Sequence, residues 1–305
     1  MACKADLSVQ LCGVRLKNPV IAASGTFGYG AEYADFMDVS RLGGICSKGV
    51  TYVPKYGNEG VRLHETAGGL MNSIGLQNPG VEHFIAHELP AMLGLGACVL
   101  ANLGGASIED YEKGAALLDA TETPFIELNI SCPNVKQGGI AYGIRPDSAK
   151  EVVSRVKAVC KKPLVVKLSP QAEDIARMAE ACVEAGADAL SLVNTFQACA
   201  IDIERRKPVF NNLFAGLSGP AVKPIALRMV WQAVGAVDVP VIGLGGITTG
   251  ADALEFIMAG AAAVQVGTAN FMDPRAGGRI TAEIGQWMDR HGVKNLDEIR
   301  GCARG

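Results

Sequence analysis

The segment EDIARMAEACVEAGADALSLVNT (residues 173–195) combines an amphipathic helix with a strand that follows it at once. Its glycine, Gly186, stands where a helix commonly ends. The run ALSLVN (189–194) is typical of a strand buried on both faces of a parallel sheet. The apolar residues of the helix recur at the spacing of one helical face: Ile175, Met178, Ala179, Cys182 and Val183.

The same helix–strand unit recurs along the chain. A second predicted helix begins at Asp147 as its N-cap and turns Val152, Val156 and Val159 inward. Eight strands alternating with helices predict an α/β protein, a (β/α)8 TIM barrel, with a doubly wound open sheet as the alternative. No linker divides the chain, so residues 1–305 are expected to form one TIM-barrel domain. The predicted strands are 19–23, 43–48, 97–102, 124–130, 163–168, 188–194, 239–244 and 262–267.

Two connections, residues 49–82 and 196–219, are too long for a bare barrel. Each follows a strand, so in a barrel both are expected over the carboxyl-terminal mouth, where barrel enzymes carry their active sites. Long structured loops in a compact domain are usually functional.

Composition and charge exclude several classes of protein. The 305 residues carry a formal charge of -3, which gives no basic field for nucleic acid. Apolar runs are too short for a membrane span, and MACKADLSVQ lacks the apolar run of a signal peptide. The nine cysteines include no Cys-x-x-Cys pair, which disfavours zinc, an iron–sulfur cluster or a disulfide framework. A cytoplasmic protein that uses neither membrane nor nucleic acid is expected.

The predicted strands end in an unusual set of polar residues. None of these residues carries a carboxylate, which disfavours a glycosidase that uses two carboxylates. The four histidines lie off the strands, so no metal site is predicted. The polar residues at the strand ends are Ser24, Lys48, Asn102, Asn129, Lys167, Asn194 and Thr195.

Glycines at the last strands indicate a phosphate site. Backbone N–H groups at Gly245-Gly246 and Gly267-Thr268 can converge on a phosphate, and GLSGPAVKP (216–224) adds a third turn before a helix. The alternative is that these glycines only make tight turns. A phosphate cradle beside neutral amides suits FMN, and Lys167 would place positive charge near the flavin pyrimidine. For Lys167 the alternative is an ordinary ion pair inside the barrel.

Cys132 is the candidate catalytic residue among the cysteines. It lies in the polar loop Ser-Cys-Pro-Asn, which is followed by Gly138-Gly139 and can close over a substrate. A thiol with a pKa of about 8.5 serves as a general base beside an acidic C–H. The alternative is a structural or merely exposed cysteine.

Six motifs together resemble the class 1 dihydroorotate dehydrogenases, in family order over nearly the whole chain. The similarity is greatest to the catalytic subunit of the B-type, NAD-linked enzymes. The membrane-bound class 2 enzymes instead use a serine base. The motifs are GLMNSIGLQNPG (69–80), NISCPNVKQGG (129–139), VVKLSP (165–170), SLVNT (191–195), GLSGPAVKP (216–224) and AVQVGTANF (263–271).

The resemblance implies one FMN per chain and the oxidation of (S)-dihydroorotate to orotate in pyrimidine (UMP) biosynthesis. Cys132 corresponds to the base that removes the C5 proton while hydride passes from C6 to the flavin. The implied substrate-binding residues are Lys48, Asn72, Ser73, Ile74, Gly75, Leu76, Asn129, Asn194 and Thr195. The implied flavin contacts are Ser24, Lys48, Gly49, Asn102, Asn129, Lys167, Val193, Gly219, Gly245, Gly246, Gly267 and Thr268.

The resemblance also implies a homodimer within a heterotetramer, whose second subunit carries FAD and a [2Fe–2S] cluster and passes electrons to NAD. The chain has no dinucleotide fingerprint, because Thr248 occupies the last glycine position in GLGGIT (243–248). Three alternatives stay open: an A-type, fumarate-linked dihydroorotate dehydrogenase, a dihydropyrimidine dehydrogenase-like flavin subunit, and a non-catalytic flavin- or phosphate-binding barrel.

Overall fold

Eight parallel strands close into a barrel in the computed structural model, which describes residues 4–131 and 142–305. Neighbours along the chain pair in order, and Val264 of the last strand pairs with Val20 of the first. The predicted barrel is confirmed, and the open sheet is excluded because the ring has no free edge. The strands are β1 Val20–Ala22, β2 Gly44–Cys46, β3 Cys98–Leu103, β4 Phe125–Asn129, β5 Leu164–Lys167, β6 Ala189–Leu192, β7 Val241–Leu244 and β8 Ala263–Val266.

Helices surround the barrel, and most of them lie between consecutive strands. Only two short 3-10 turns, Ala31–Tyr33 and Val39–Arg41, join β1 to β2. An irregular helix that includes a π-helical turn covers residues 81–94 before β3. The remaining α-helices of the described residues are α1 Ile108–Asp119, α2 Pro146–Val159, α3 Ile175–Glu184, α4 Lys223–Ala236, α5 Gly250–Met258, α6 Ala269–Met272 and α7 Ala276–His291.

Helix α3 forms as its sequence predicts. The Asp174 carboxylate accepts from the backbone N–H groups of Ala176 and Arg177, which satisfies two free donors of the first turn. The positive φ of Gly186 ends the helix. The helix packs its apolar stripe on the barrel, and its buried residues are Ile175, Met178, Ala179 and Cys182.

Two expectations for helix α2 are wrong. Arg145, not Asp147, is the N-cap, because Pro146 takes the first helical position and keeps the preceding residue extended. Asp147 therefore lies inside the first turn. Val159, the last residue of the helix, is 39% exposed instead of facing inward.

The two long connections pair with each other in a four-stranded antiparallel sheet, which we call the mouth sheet. Gly216 pairs with Asn72 and Ser218 with Leu70, so chain segments far apart in sequence form one surface. Met71, Phe210 and Ala215 form a small apolar cluster with it. The strands of the mouth sheet are Leu63–Thr66, Gly69–Asn72, Phe196–Cys199 and Phe214–Ser218.

Two smaller hairpins lie outside the barrel and the mouth sheet. Val9–Leu11 pairs with Val14–Leu16, and Ile201–Asp202 pairs with Lys207–Pro208. The Cys12 thiol donates to the backbone oxygen of Asp188 at 3.3 Å, which places the first hairpin at the amino-terminal end of the barrel, opposite the mouth. No helix within residues 4–131 and 142–305 is both long and apolar enough to span a bilayer.

Candidate active site

A cavity of about 510 Å³ lies between the carboxyl-terminal ends of the barrel strands and the mouth sheet. Residues at the ends of all eight strands line it, together with residues of both long connections. A cavity of this size suits a small molecule or cofactor. We call it the mouth cavity.

The mouth cavity brings together every predicted site residue in the described part of the chain. These residues thus share one space, although they span most of the sequence. They are Ser24, Lys48, Gly49, Asn72, Ser73, Ile74, Gly75, Leu76, Asn102, Asn129, Lys167, Val193, Asn194, Thr195, Gly219, Gly245, Gly246, Gly267 and Thr268.

The predicted base, Cys132, lies outside the described residues, as do Gly138 and Gly139. Ser131, directly before it, lines the mouth cavity. The Ser131 hydroxyl donates to the backbone oxygen of Lys167 at 3.2 Å, and its N–H donates to Asn129 Oδ1 at 3.2 Å. The described chain therefore reaches the cavity at Ser131, the residue before Cys132.

Lys48 brings a positive charge to the cavity directly after β2. Burial lowers the pKa of Lys48 from its ordinary value, because desolvation disfavours the charged form. Within residues 4–131 and 142–305, Lys48 forms no ion pair, whereas Lys223 pairs with Asp252 at 2.7 Å. A partly desolvated ammonium without a carboxylate partner is suited to bind an anionic group of a ligand.

Asparagine side chains also line the mouth cavity. Asn194 Nδ2 donates to Asn129 Oδ1 at 3.2 Å, and Asn194 Oδ1 accepts from the backbone N–H of Thr195 at 2.8 Å. Across the cavity, Asn72 Nδ2 donates to the backbone oxygen of Gly216 at 3.2 Å. These contacts hold the amides in fixed orientations, as recognition of a planar heterocycle with ring amides requires.

Turns that contain Gly219, Gly245 and Gly246 form another edge of the mouth cavity. Gly219, Gly245 and Gly246 have φ angles of 108°, 127° and 76°, which side chains rarely adopt. A Cβ atom on Gly246 would lie 2.8 Å from the backbone oxygen of Gly219, so the two turns are in contact. The Thr268 hydroxyl donates to Ser218 Oγ at 2.8 Å and joins the end of β8 to this edge. The three turns that were predicted to hold a phosphate are therefore adjacent.

Comparisons with known proteins identify the family of the chain. The sequence profile described as dihydroorotate dehydrogenase matches residues 6–288. The chain belongs to the dihydroorotate dehydrogenase family. It is 56% identical to the "Dihydroorotate dehydrogenase B (NAD(+)), catalytic subunit" of Petrotoga mobilis, over 97% of this chain and 99% of that protein. Proteins of the same name from Geotalea daltonii and Geobacter sulfurreducens are each 51% identical, over 98–99% of this chain and of theirs.

The resemblance to the dihydroorotate dehydrogenase family did not point to Glu127, which lies fully buried in β4 below the cavity. Its carboxylate lies 3.6 Å from the Lys167 ammonium, so the ion pair considered as the alternative for Lys167 does form. Lys167 also lines the mouth cavity. The sequence did carry one signal for Glu127. Side chains alternate between the two faces of a strand, so Glu127 faces the same side as Asn129, which was a predicted site residue.

Proposed function

We propose that this chain binds FMN in the mouth cavity and oxidises (S)-dihydroorotate to orotate. The observation that supports this most directly is Lys48, an ammonium without a carboxylate partner in the described chain, among fixed amides. Dihydroorotate carries a carboxylate and ring amides, and these are the groups that such a set of side chains would recognise. The names of the relatives, dihydroorotate dehydrogenase B catalytic subunits, support the same reaction.

The residues of the cavity fit FMN at both ends. The turns at Gly219, Gly245 and Gly246 are adjacent and pack so closely that a Cβ atom would collide with neighbouring protein atoms. Their backbone N–H groups, close to the start of a helix, would suit a phosphate. At the floor, Asn102 Oδ1 and Gln265 Oε1 are buried acceptors without a hydrogen-bond partner in the described chain. The ring N–H of oxidised FMN is a donor that one of them could accept. Bound FMN would supply the hydride acceptor for C6 of the substrate.

The chain itself would orient the substrate and move a proton. Lys48 would hold the carboxylate, while Asn72, Asn129 and Asn194 would hydrogen-bond the ring amides. With the ring fixed in this way, Cys132 would take the proton from C5 as general base. Positioning of this kind lowers the entropic part of the barrier, because the reacting groups are already aligned.

The electrons would leave through a second subunit that carries FAD and a [2Fe–2S] cluster and reduces NAD. The sequence has no dinucleotide fingerprint, which supports a separate NAD-reducing subunit, because another protein would then have to bind NAD. The term catalytic subunit in the names of the relatives also supports it.

The test is to purify the chain, record its visible spectrum and add dihydroorotate without oxygen. We expect a flavin spectrum that bleaches on addition, and perturbation of that spectrum by low concentrations of orotate but not of uracil. A response to uracil alone would favour a dihydropyrimidine dehydrogenase-like subunit. Reoxidation by fumarate would favour the A-type reaction, and a bound flavin that no substrate bleaches would indicate a non-catalytic barrel.

A further inference from the structure

Glu127 is the centre of a polar cluster inside the barrel. It lies in the middle of β4 and is fully buried. Groups from five other strands surround its carboxylate. They are Cys46 Sγ at 3.0 Å, Asn102 Nδ2 at 2.6 Å, Ser191 Oγ at 2.9 Å, Lys167 Nζ at 3.6 Å and Gln265 Nε2.

An ionised carboxylate only accepts hydrogen bonds, and this fixes the orientation of both amides. Asn102 and Gln265 must each turn an NH2 group toward Glu127, which leaves Asn102 Oδ1 and Gln265 Oε1 to face elsewhere. Both oxygens are buried, and neither has a partner in the described chain. Since both residues line the mouth cavity, a ligand there is the natural source of the missing donors.

Glu127 also balances the charge of Lys167. Burial alone would raise the pKa of Glu127, but Lys167 and the hydrogen bonds from Cys46, Gln265 and Ser191 hold that pKa below its ordinary value. The carboxylate is therefore ionised at neutral pH. Lys167 is 4% exposed. The negative charge of Glu127 partly cancels the positive potential that the Lys167 ammonium creates in the cavity.

We propose that Glu127 is a positioning residue for the flavin: it orients Asn102 and Gln265 so that both present an oxygen to the cavity, where one could accept from the ring N–H of the flavin, and it balances the charge of Lys167. Glu127 itself touches only protein groups in this arrangement. The inference rests on the proposed FMN site and adds the residue that sets the polarity of its floor. It also accounts for the presence of a carboxylate in the interior of the barrel.

The decisive variant is Glu127→Gln. A glutamine must turn its own NH2 group toward one of its neighbours, so Asn102 or Gln265 would have to flip and present a donor to the cavity. We expect the FMN dissociation constant, measured by titrating FMN into the apoprotein, to rise about tenfold or more. The flavin midpoint potential should also rise, because the charge of Lys167 is no longer balanced. Glu127→Asp, which keeps the charge, should recover part of both properties.

The matched control is Cys46→Ala, which removes one donor to the same carboxylate but leaves both amides and Lys167 in place. We expect its dissociation constant and midpoint potential to stay close to those of the unmodified chain. If Cys46→Ala and Glu127→Gln change both properties equally, Glu127 has a packing role only and the inference is wrong.

A second variant keeps the test decisive if Glu127→Gln does not fold. Gln265→Met removes the unpartnered oxygen and leaves Glu127 in place, and it should also weaken FMN binding. Wild-type affinity in a folded Gln265→Met variant, or in a folded Glu127→Gln variant, would overturn the inference. If the unmodified chain bound no FMN, the proposed function would be the part that fails.

Discussion

The Lys48 ammonium is the single group on which recognition of an anionic substrate would depend. Replacing it in Lys48→Met removes the charge without adding one, and we expect orotate affinity to fall about a hundredfold. Titration of orotate against the flavin spectrum measures this. Lys55→Met is the matched control, since Lys55 also lines the cavity. Equal losses in both variants would indicate that only the general positive field matters.

The lowered pKa of Lys48 predicts how orotate binding depends on pH. Burial moves the pKa of Lys48 below its ordinary value of 10.5, so the ammonium loses its proton at a lower pH than a free lysine. The charged form binds the carboxylate, and affinity should therefore be full below the shifted pKa and decrease as the pH rises through it. A dissociation constant that stays flat up to pH 10.5 would contradict this role.

Cys132 is predicted from the sequence as the general base, and its thiolate is the active form. The rate of flavin bleaching by dihydroorotate should therefore rise with pH toward the thiol pKa, about 8.5 when unperturbed. Cys132→Ser should slow bleaching by orders of magnitude while FMN stays bound. Stopped-flow absorbance measures both effects. Unchanged turnover in the variant would remove Cys132 from the mechanism.

At the scale of elements, the mouth sheet joins the substrate side of the cavity to the end of β6. A Cβ atom on Gly216 would collide with the side chain of Thr195, including its Cβ at 2.7 Å. Gly216→Ala should therefore displace the sheet or Thr195, destabilise the protein by about 1–3 kcal/mol and weaken orotate binding. Thermal unfolding and orotate titration measure these effects.

The control for Gly216→Ala is Gly278→Ala in helix α7. There a Cβ atom would meet only Met37 Cε, at 3.6 Å, which is ordinary contact. Alanine in a helix interior should raise stability by about 0.5–1 kcal/mol and leave orotate binding unchanged. If Gly216→Ala behaved in the same way, the mouth sheet would not hold the position of Thr195.

At the scale of the whole molecule, the mouth cavity is the proposed site for both substrate and flavin, and the sequence carries no dinucleotide fingerprint for NAD. We expect the isolated chain to oxidise dihydroorotate with an artificial electron-accepting dye and to produce little or no NADH. Adding the electron-transfer subunit should restore NADH production without changing the rate with the dye. Rapid NADH production by the isolated chain would contradict the predicted division between the subunits.

The sequence by itself determined the barrel fold and the polar residues at the ends of its strands. All eight strands were predicted within a few residues, because a strand buried on both faces is a continuous apolar run between turn residues. The same runs mark where each strand ends, so the polar residues that follow them were expected at one rim. This is why Lys48, Asn129 and Asn194 were predicted to lie together although they are far apart in sequence.

Only the tertiary structure decided what these residues contact. The pairing of the two long connections into the mouth sheet depends on backbone hydrogen bonds between distant segments, which leave no local pattern. Glu127 was missed because its role depends on donors from five other strands, and a single sequence does not show which side chains meet at the barrel axis. Local periodicity determines elements, whereas the partners of a buried charge are determined by the closure of the barrel.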